Sequence, residues 1–286
     1  MSFWAFSQTK EIHKTTHSYK DTLQLDFYSS ELSSQKNHPL LVLVHGGGFA
    51  SGSKDGPIES KFCLDMAKRG YPVVSINYRL TRKNDPFNCD CDTEKKIASF
   101  VAGAEDLTAA MEFIYQKEDL IFDRESVVLI GSSAGAELML HAAFMNHDYR
   151  FNHISPIQAI GLISLSGAMI NASYINKNNA IPSLFIHGKK DDLVPFGTAP
   201  HHFCEETRTG YMMLDGPQTI SEKLKKQNVS FVIGYHNEGN HDWANIGYLY
   251  TNLIDQFIQD HIIEENLIQS YIELSEDNTS IKLTDE

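Results

Sequence analysis

A serine stands between glycines at residues 131–135, Gly-Ser-Ser-Ala-Gly. The apolar run Val127 to Ile130 leads into it, and a helix-forming stretch, "AGAELMLHAAFMNH", follows. A buried strand that turns sharply into a helix would hold the Ser133 hydroxyl above a sheet, in the G-x-S-x-G pattern of a nucleophilic serine. Ser132 is out of frame with that pattern and reads as a supporting residue. A serine hydroxyl attacks a carbonyl only when a base takes its proton, and that base needs an acid to orient it. The chain supplies both in the order serine, acid, histidine. "KKDDLVPF" offers Asp191 and Asp192, and "HNEGNHDW" offers His236 and His241. His236 belongs to a strand end, whereas His241 lies past a glycine where a loop can carry an imidazole over the sheet. His241 is therefore the expected base.

Attack on a carbonyl also develops an oxyanion, which preorganised N–H groups must hold. "HGGGF" at 45–49 follows an apolar run, and residues without side chains let backbone N–H groups point into a cavity. The helix behind Ser133 adds its N-terminal end, with the Ala134 N–H as a further donor. A dinucleotide-binding reading fails, because Gly46, Gly47 and Gly48 are contiguous and no G-x-G-x-x-G follows.

The elements that must position these groups can be read from periodicity. "TLQLDFYS" (22–29) alternates like a half-buried antiparallel strand, while "LLVLVHGGG" (40–48) and "YPVVSINYRL" (71–80) read as strands buried on both faces. "SKFCLDMAKRG" between them has helical spacing and stops at Gly70. A long helix is expected over 97–119, followed by the strand "SVVLIG" and the helix behind Ser133. Next come the strands "IQAIGLISLSG" and "PSLFIHG", the helix "QTISEKLKKQN", the strand "VSFVIGYH" and a helix from Trp243 to about residue 262. This alternation predicts an α/β fold, one mostly parallel doubly wound sheet with helices on both faces. Ligands in such sheets bind beyond the carboxyl ends of the strands. "HGGG", "SSAG", "HGKKDD" and "HNEGNHD" all fall at those ends.

The chain of 286 residues is long enough for a substantial core, and 42% hydrophobic with 21% charged residues is an ordinary globular composition. The net charge of −13, roughly half of it in the last two dozen residues, leaves no basic patch for nucleic acid or an anionic membrane. No apolar run approaches the ~20 residues of a membrane span. Three regions are expected: an N-terminal arm (1–20), a catalytic domain (21–262) and an acidic tail (263–286) that could add a short helix. As written, the chain reads as cytoplasmic, with export open if a leader was removed. The four cysteines are too sparse for a disulfide framework and are expected to be free thiols, a loop disulfide in an exported protein being the alternative.

The chain resembles the α/β-hydrolases of the carboxylesterase/lipase group, those with an "HGGG" oxyanion motif and similarity to hormone-sensitive lipase. It is similar in particular to small bacterial esterases acting on acylated carbohydrates. "HGGGF", "INYRL" (76–80), "GSSAG", "HGKKDDLVP" (187–195) and "GNH" (239–241) carry the resemblance. The family pattern H-G-x-x-D-x-x-V-P places the acid at Asp191 rather than Asp192, and the resemblance joins Gly47 and Gly48 to Ala134 as oxyanion donors. It implies a serine hydrolase that cleaves short-chain carboxylic esters with Ser133, Asp191 and His241 and without cofactor or metal. The substrate is then a small-molecule or carbohydrate ester, with amide or peptide hydrolysis as the alternative. The "AP" that commonly follows the Tyr78-Arg79 pair in this group is absent, as is a long N-terminal helical cap, and both departures weaken a lipid substrate. Tyr78 and Arg79 read as structural.

Two stretches look inserted, residues 81–96 and 197–217, and both are expected on the side of the active site. Phe203, Tyr211, Met212 and Met213 are expected to wall a substrate pocket or to pack in the core. "HHFC" at 201–204 is not assigned a metal, since adjacent histidines point apart in extended chain.

Overall fold

The computed structural model describes residues 11–34, 38–277, 279–280 and 283. The first described elements form an antiparallel hairpin, β1 (Ile12–Lys20) and β2 (Leu23–Ser30), followed by β3 (Pro39–Val44), α1 (Pro57–Arg69) and β4 (Val73–Ile76). Then come α2 (Thr93–Gln116), β5 (Asp123–Ser132), α3 (Ala134–Phe144), β6 (Gly161–Leu165) and β7 (Ser183–Gly188). A short ribbon, β8 (Thr198–Pro200) and β9 (Met213–Asp215), precedes α4 (Pro217–Lys226) and β10 (Phe231–His236). The last elements among the described residues are α5 (Trp243–Ile246), α6 (Thr251–Phe257) and β11 (Gln269–Glu273). Among the described residues, nine strands form one sheet in the order β1-β2-β4-β3-β5-β6-β7-β10-β11. It is parallel from β4 to β11, and β2 joins β4 antiparallel.

The central strands are Val, Leu and Ile because both of their faces are buried. Leu40, Val42 and Val44 of β3 join Val127 and Leu129 of β5 on the face covered by α2, α3 and α4. Leu41, Leu43, Val128 and Ile130 point the other way, against Phe62 and Met66 of α1 and Leu253 and Phe257 of α6. β3 and β5 are neighbours, yet β3 feeds α1 on one face and β5 feeds α3 on the other. The two connections part and open a crevice at the carboxyl ends of these strands. The "HGGG" and Ser133 turns sit in that crevice.

Both chain ends differ from the sequence expectation. The expected arm over 1–20 supplies β1 over its described part, 11–20, and residues 1–10 lie outside the described residues. Its alternation is visible only as an edge strand, half-buried at best, so it carries little apolar signal. The tail over 263–286 supplies a strand, not a helix: β11 pairs in parallel with β10 from Phe231–Gln269 to Tyr235–Glu273. The expected helix after Trp243 is broken into α5, a 3-10 turn at Gly247–Leu249, α6 and a π-helical turn at Ile258–Ile263. The break lies where Gly247 packs on Leu165, whose Cδ2 would be 2.8 Å from a Cβ at this position.

Candidate active site

Ser133 is the single residue between β5 and α3, and its backbone takes φ 49° and ψ −124°. A non-glycine residue there stores ~1–3 kcal/mol of strain, held only because the surroundings fix it. The Ser133 N–H donates to Leu165 O (2.8 Å), and its carbonyl accepts from Glu137 N as the first turn of α3 (2.9 Å). Gly135 lets that helix sit against β3: a Cβ there would lie 2.3 Å from Val44 O and 2.4 Å from His45 O. Ser132, one residue earlier, turns away and donates its hydroxyl to Ala244 O (2.8 Å), tying the elbow to the start of α5.

The Ser133 hydroxyl meets an imidazole. Its Oγ lies 2.8 Å from His241 Nε2, and His241 Nδ1 lies 2.8 Å from Asp191 Oδ2. Because a carboxylate can only accept, Nδ1 carries the proton and Nε2 is left to accept from Ser133. The other Asp191 oxygen accepts the Leu193 and Val194 N–H groups, both at 2.9 Å, which fixes the carboxylate plane. His187, at the end of β7, brings Nε2 to 3.3 Å from Asp191 Oδ2 and to 3.0 Å from Val194 O. Burial alone would raise the Asp191 pKa, but hydrogen bonds from His187 and His241 hold it well below the ordinary carboxylate range. Asp191 is thus a permanent anion under an imidazole, an arrangement that stabilises a positive charge there.

The glycine run forms the opposite wall. Gly47 (φ 110°) and Gly48 (φ 62°) both adopt the left-handed region, and the Gly47 carbonyl accepts from Ala50 and Ser51 (3.0 Å each). His45 Nδ1–H donates to Gly46 O at 2.7 Å. The Tyr78 hydroxyl donates to His45 O at 2.9 Å, and its ring stacks on the His45 imidazole at 4.4 Å. Burial lowers the His45 pKa to about 4, so this ring is a neutral strut. These bonds occupy the carbonyls of 45–47 within the protein. Gly46, Gly47 and Gly48 line one cavity of about 560 Å³ together with Ser133, Ala134 and His241. A carbonyl carbon at Ser133 Oγ would place its oxygen among these backbone groups.

The structure separates the alternatives open in the sequence. Asp191 is buried in the relay, whereas Asp192 is exposed. His236 stacks on Trp243 at 5.0 Å instead of joining the relay. Arg79 is structural, its guanidinium bound to Asp106 and Glu105, but Tyr78 does more than expected because it holds the glycine loop. The role of His187 went unseen: it stands in the quoted "HGKKDD", and no spacing rule distinguishes a histidine that braces the acid.

The two inserted stretches lie beside the cavity, but not through the residues expected. Phe203 is 52% exposed, Met212 packs in the core, and neither they nor Tyr211 and Met213 line the cavity. His201, His202, Phe87 and Asn88 do. Two consecutive left-handed residues, His202 (φ 56°) and Phe203 (φ 50°), reverse the chain so that His201 points inward and Phe203 outward. Cys89 and Cys204 form a disulfide that ties the two stretches together, correcting the expectation of four free thiols. Cys63 and Cys91 are free and buried. The spacing "CDC" could not tell which cysteine faces residue 204.

Comparison with known proteins adds to this geometry. The model of the BD-FAE family matches residues 25–159, just under half of the chain, and takes in both glycine motifs. Among curated proteins, the neuroligin-like protein glit-1 of Caenorhabditis elegans is 28% identical over 168 residues, 55% of this chain and 20% of that protein. Carboxylesterase 20 of Arabidopsis thaliana is 31% identical over 137 residues, 46% of this chain and 37% of that protein. The chain therefore spans well under half the length of these curated relatives. Among solved structures, the Thermogutta terrifontis esterase Est2 with butyrate bound superposes with a TM-score of 0.61 at 18% identity, covering 86% of this chain and 94% of that one. The same esterase phosphorylated by paraoxon gives 0.61 at 19%, with 86% and 94% covered. By fold, this chain is an α/β-hydrolase.

Proposed function

We propose that the chain is a serine esterase that hydrolyses short-chain carboxylic esters through an acyl-enzyme. The observation that carries this reading is the unbroken relay Ser133–His241–Asp191 at 2.8 Å and 2.8 Å, opening onto a glycine-walled cavity. Ser133 Oγ attacks the ester carbonyl carbon while His241 Nε2 takes its proton. The imidazolium that results is held by Asp191, whose negative charge is secured by His187 and two backbone N–H groups. The N–H groups of Gly47, Gly48 and Ala134 receive the oxyanion, each such donor being worth ~10²–10³ in rate. Collapse of the tetrahedral intermediate breaks the ester C–O bond, and His241 returns the proton to the leaving alkoxide. Water then attacks the acyl group by the same sequence and frees Ser133.

The lining of the cavity points to the substrate. Glu59, Glu137, Asp242, Asn88, Asn245, His201 and His202 outnumber its larger apolar groups, Phe87, Leu193 and Val194, and no lysine or arginine contributes among the described residues. Such a wall, without a cation, disfavours anionic substrates, and an acyl chain gains ~0.8 kcal/mol only for each CH₂ it buries. Neutral, polar short-acyl esters fit it, acylated carbohydrates among them. The Thermogutta terrifontis esterase is solved with butyrate and with propionate bound, which makes these acyl groups the first to try. The Cys89–Cys204 bridge favours a location where disulfides persist, hence export over the cytoplasm.

A p-nitrophenyl ester series tests the reading. Turnover should peak between acetyl and butyryl, fall at about eight carbons and vanish in Ser133→Ala. No hydrolysis of any ester, or hydrolysis that survives Ser133→Ala, would overturn it. A rate that rises steadily to long chains would overturn the short-acyl part, and faster cleavage of the matching p-nitroanilides would favour an amidase.

A further inference from the structure

The catalytic relay leaves two buried polar groups of the cavity unused. Glu137 lies in the first turn of α3, which begins directly after Ser133, and both residues line the same cavity. Helical side chains lean toward the N-terminus, which turns the Glu137 side chain toward the Ser133 end of α3. His201 comes from the opposite wall, on the 3-10 turn that precedes Cys204. Glu137 and His201 are each 1% exposed, and both line the cavity that holds Ser133. Glu137 Oε1 lies 3.4 Å from His201 Nε2 without a hydrogen bond forming, and among the described residues neither Glu137 Oε1 nor His201 Nδ1 has a hydrogen-bond partner. Polar atoms so deeply buried are nearly always paired, and each such atom left alone is destabilising. The structure nevertheless goes to some length to place them. His202 and Phe203 take left-handed backbone to aim His201 inward, the Cys89–Cys204 bridge anchors that turn, and Phe87 packs edge-on against the His201 ring at 5.2 Å.

Burial favours the neutral form of both groups. Burial raises the Glu137 pKa well above the carboxyl range against the pull of Lys96 and lowers that of His201 well below the imidazole range. Lys96, whose charge acts on Glu137, donates to Gly210 O at 2.8 Å. A protonated carboxyl and a neutral imidazole each offer one donor and at least one acceptor. That pairing suits a group that both donates and accepts, and it offers a carboxylate no countercharge.

We propose that Glu137 and His201 form a specificity subsite that binds a hydroxyl of the ester substrate close to the scissile bond. The proposal rests on the esterase reading above and names what that site selects. A site built to hydrogen-bond a hydroxyl discriminates strongly against the analogue that lacks it, because its own buried groups are then left unpaired.

The test compares two pairs of esters, each rate normalised by its hydrolysis in hydroxide. Methyl 3-hydroxybutyrate against methyl butyrate probes the acyl side, and glyceryl monoacetate against propyl acetate the alcohol side. The wild type should prefer the hydroxyl ester at least ~10-fold in kcat/KM in one pair, as one well-placed hydrogen bond allows. Glu137→Leu and His201→Phe should each bring that ratio to within about 3-fold of one, and Glu137→Gln, which keeps a donor and an acceptor, should preserve most of it. A purely structural role would lower both members of a pair alike and leave the ratio unchanged. A wild-type ratio near one in both pairs overturns the subsite while the esters are still cleaved. A preference that survives both Glu137→Leu and His201→Phe overturns it too. If one of these variants does not fold, the other and the wild-type ratios decide. Failure to cleave any of the four esters, or any p-nitrophenyl ester, would instead overturn the esterase reading beneath it.

Discussion

Asp191→Asn isolates the proposed orienting acid with almost no change in volume. The amide has one oxygen and one NH₂, and the site makes two demands on it. One carboxylate oxygen receives the Leu193 and Val194 N–H groups at 2.9 Å each, and the other receives His241 Nδ1–H at 2.8 Å. Turning the amide NH₂ toward the backbone would forfeit two buried hydrogen bonds, ~1 kcal/mol or more apiece, and set donor against donor. The side chain therefore keeps its oxygen on the backbone and presents NH₂ to His241. Nδ1 must then become an acceptor, the ring proton moves to Nε2, and Nε2 can no longer accept from Ser133 at 2.8 Å. Wrong tautomer and lost imidazolium partner together correspond to a ~10⁴-fold fall in kcat for a relay of this kind. That fall equals roughly 5–6 kcal/mol in the barrier. Asp192, exposed and outside the relay, provides the internal control. Steady-state hydrolysis of p-nitrophenyl acetate should show Asp192→Asn within a few-fold of wild type. A loss below tenfold for Asp191→Asn, or equal losses at the two positions, would refute the reasoning.

Other perturbations give equally specific outcomes. Ser133→Ala should lower kcat by about 10⁵–10⁶-fold, whereas Ser132→Ala, which loses only the bond to Ala244 O, should cost far less; the reverse order would mean the elbow is framed wrongly. Cys89→Ser opens a bridge across 115 residues, worth ~5 kcal/mol in the chain-entropy picture, so the Tm should fall by roughly 8 °C. Thiol titration of the denatured, unreduced protein should find Cys63 and Cys91 alone; four thiols would contradict the bridge. Gly135→Ala drives a Cβ into two backbone carbonyls and should cost about 3 kcal/mol in urea unfolding, and wild-type stability would refute that packing. Burial lowers the pKa of His45 and His202 to about 4 and of His141 to about 3. Below about pH 6.5 the unfolded chain binds protons there that the folded one refuses. Stability should then fall with falling pH between 6.5 and 4 by ~1 kcal/mol per pH unit for each histidine, and a flat urea midpoint across that window would count against it.

The sequence was legible wherever one local rule decided the structure. Ser133 could be found because a strand, a glycine turn and a helix must coincide in sequence to build the elbow, and Ser132 fell out of frame for the same reason. Asp191 and His241 follow in chain order at the ends of β7 and β10, where the parallel sheet makes the location of a site predictable. What depends on contacts between distant segments was not legible. β11 is a strand because β10 offers an open edge, which the acidic sequence around Tyr271 does not announce. Glu137 reads as an ordinary helix residue until the fold closes Phe87 and His201 over it. The same holds for Cys89 and Cys204: pairing across 115 residues depends on two loops whose paths follow the turn at His202, not any spacing in the chain.

The central claim is that Ser133 is a nucleophile activated by His241. A fluorophosphonate probe tests it most directly, since it reacts far faster with a serine whose proton has a base to go to than with an ordinary hydroxyl. Peptide mapping after labelling should find one adduct per chain, on Ser133, forming in step with the loss of ester hydrolysis and absent from Ser133→Ala. A chain that cleaves esters without taking the label, or that takes it on another serine, would contradict the account.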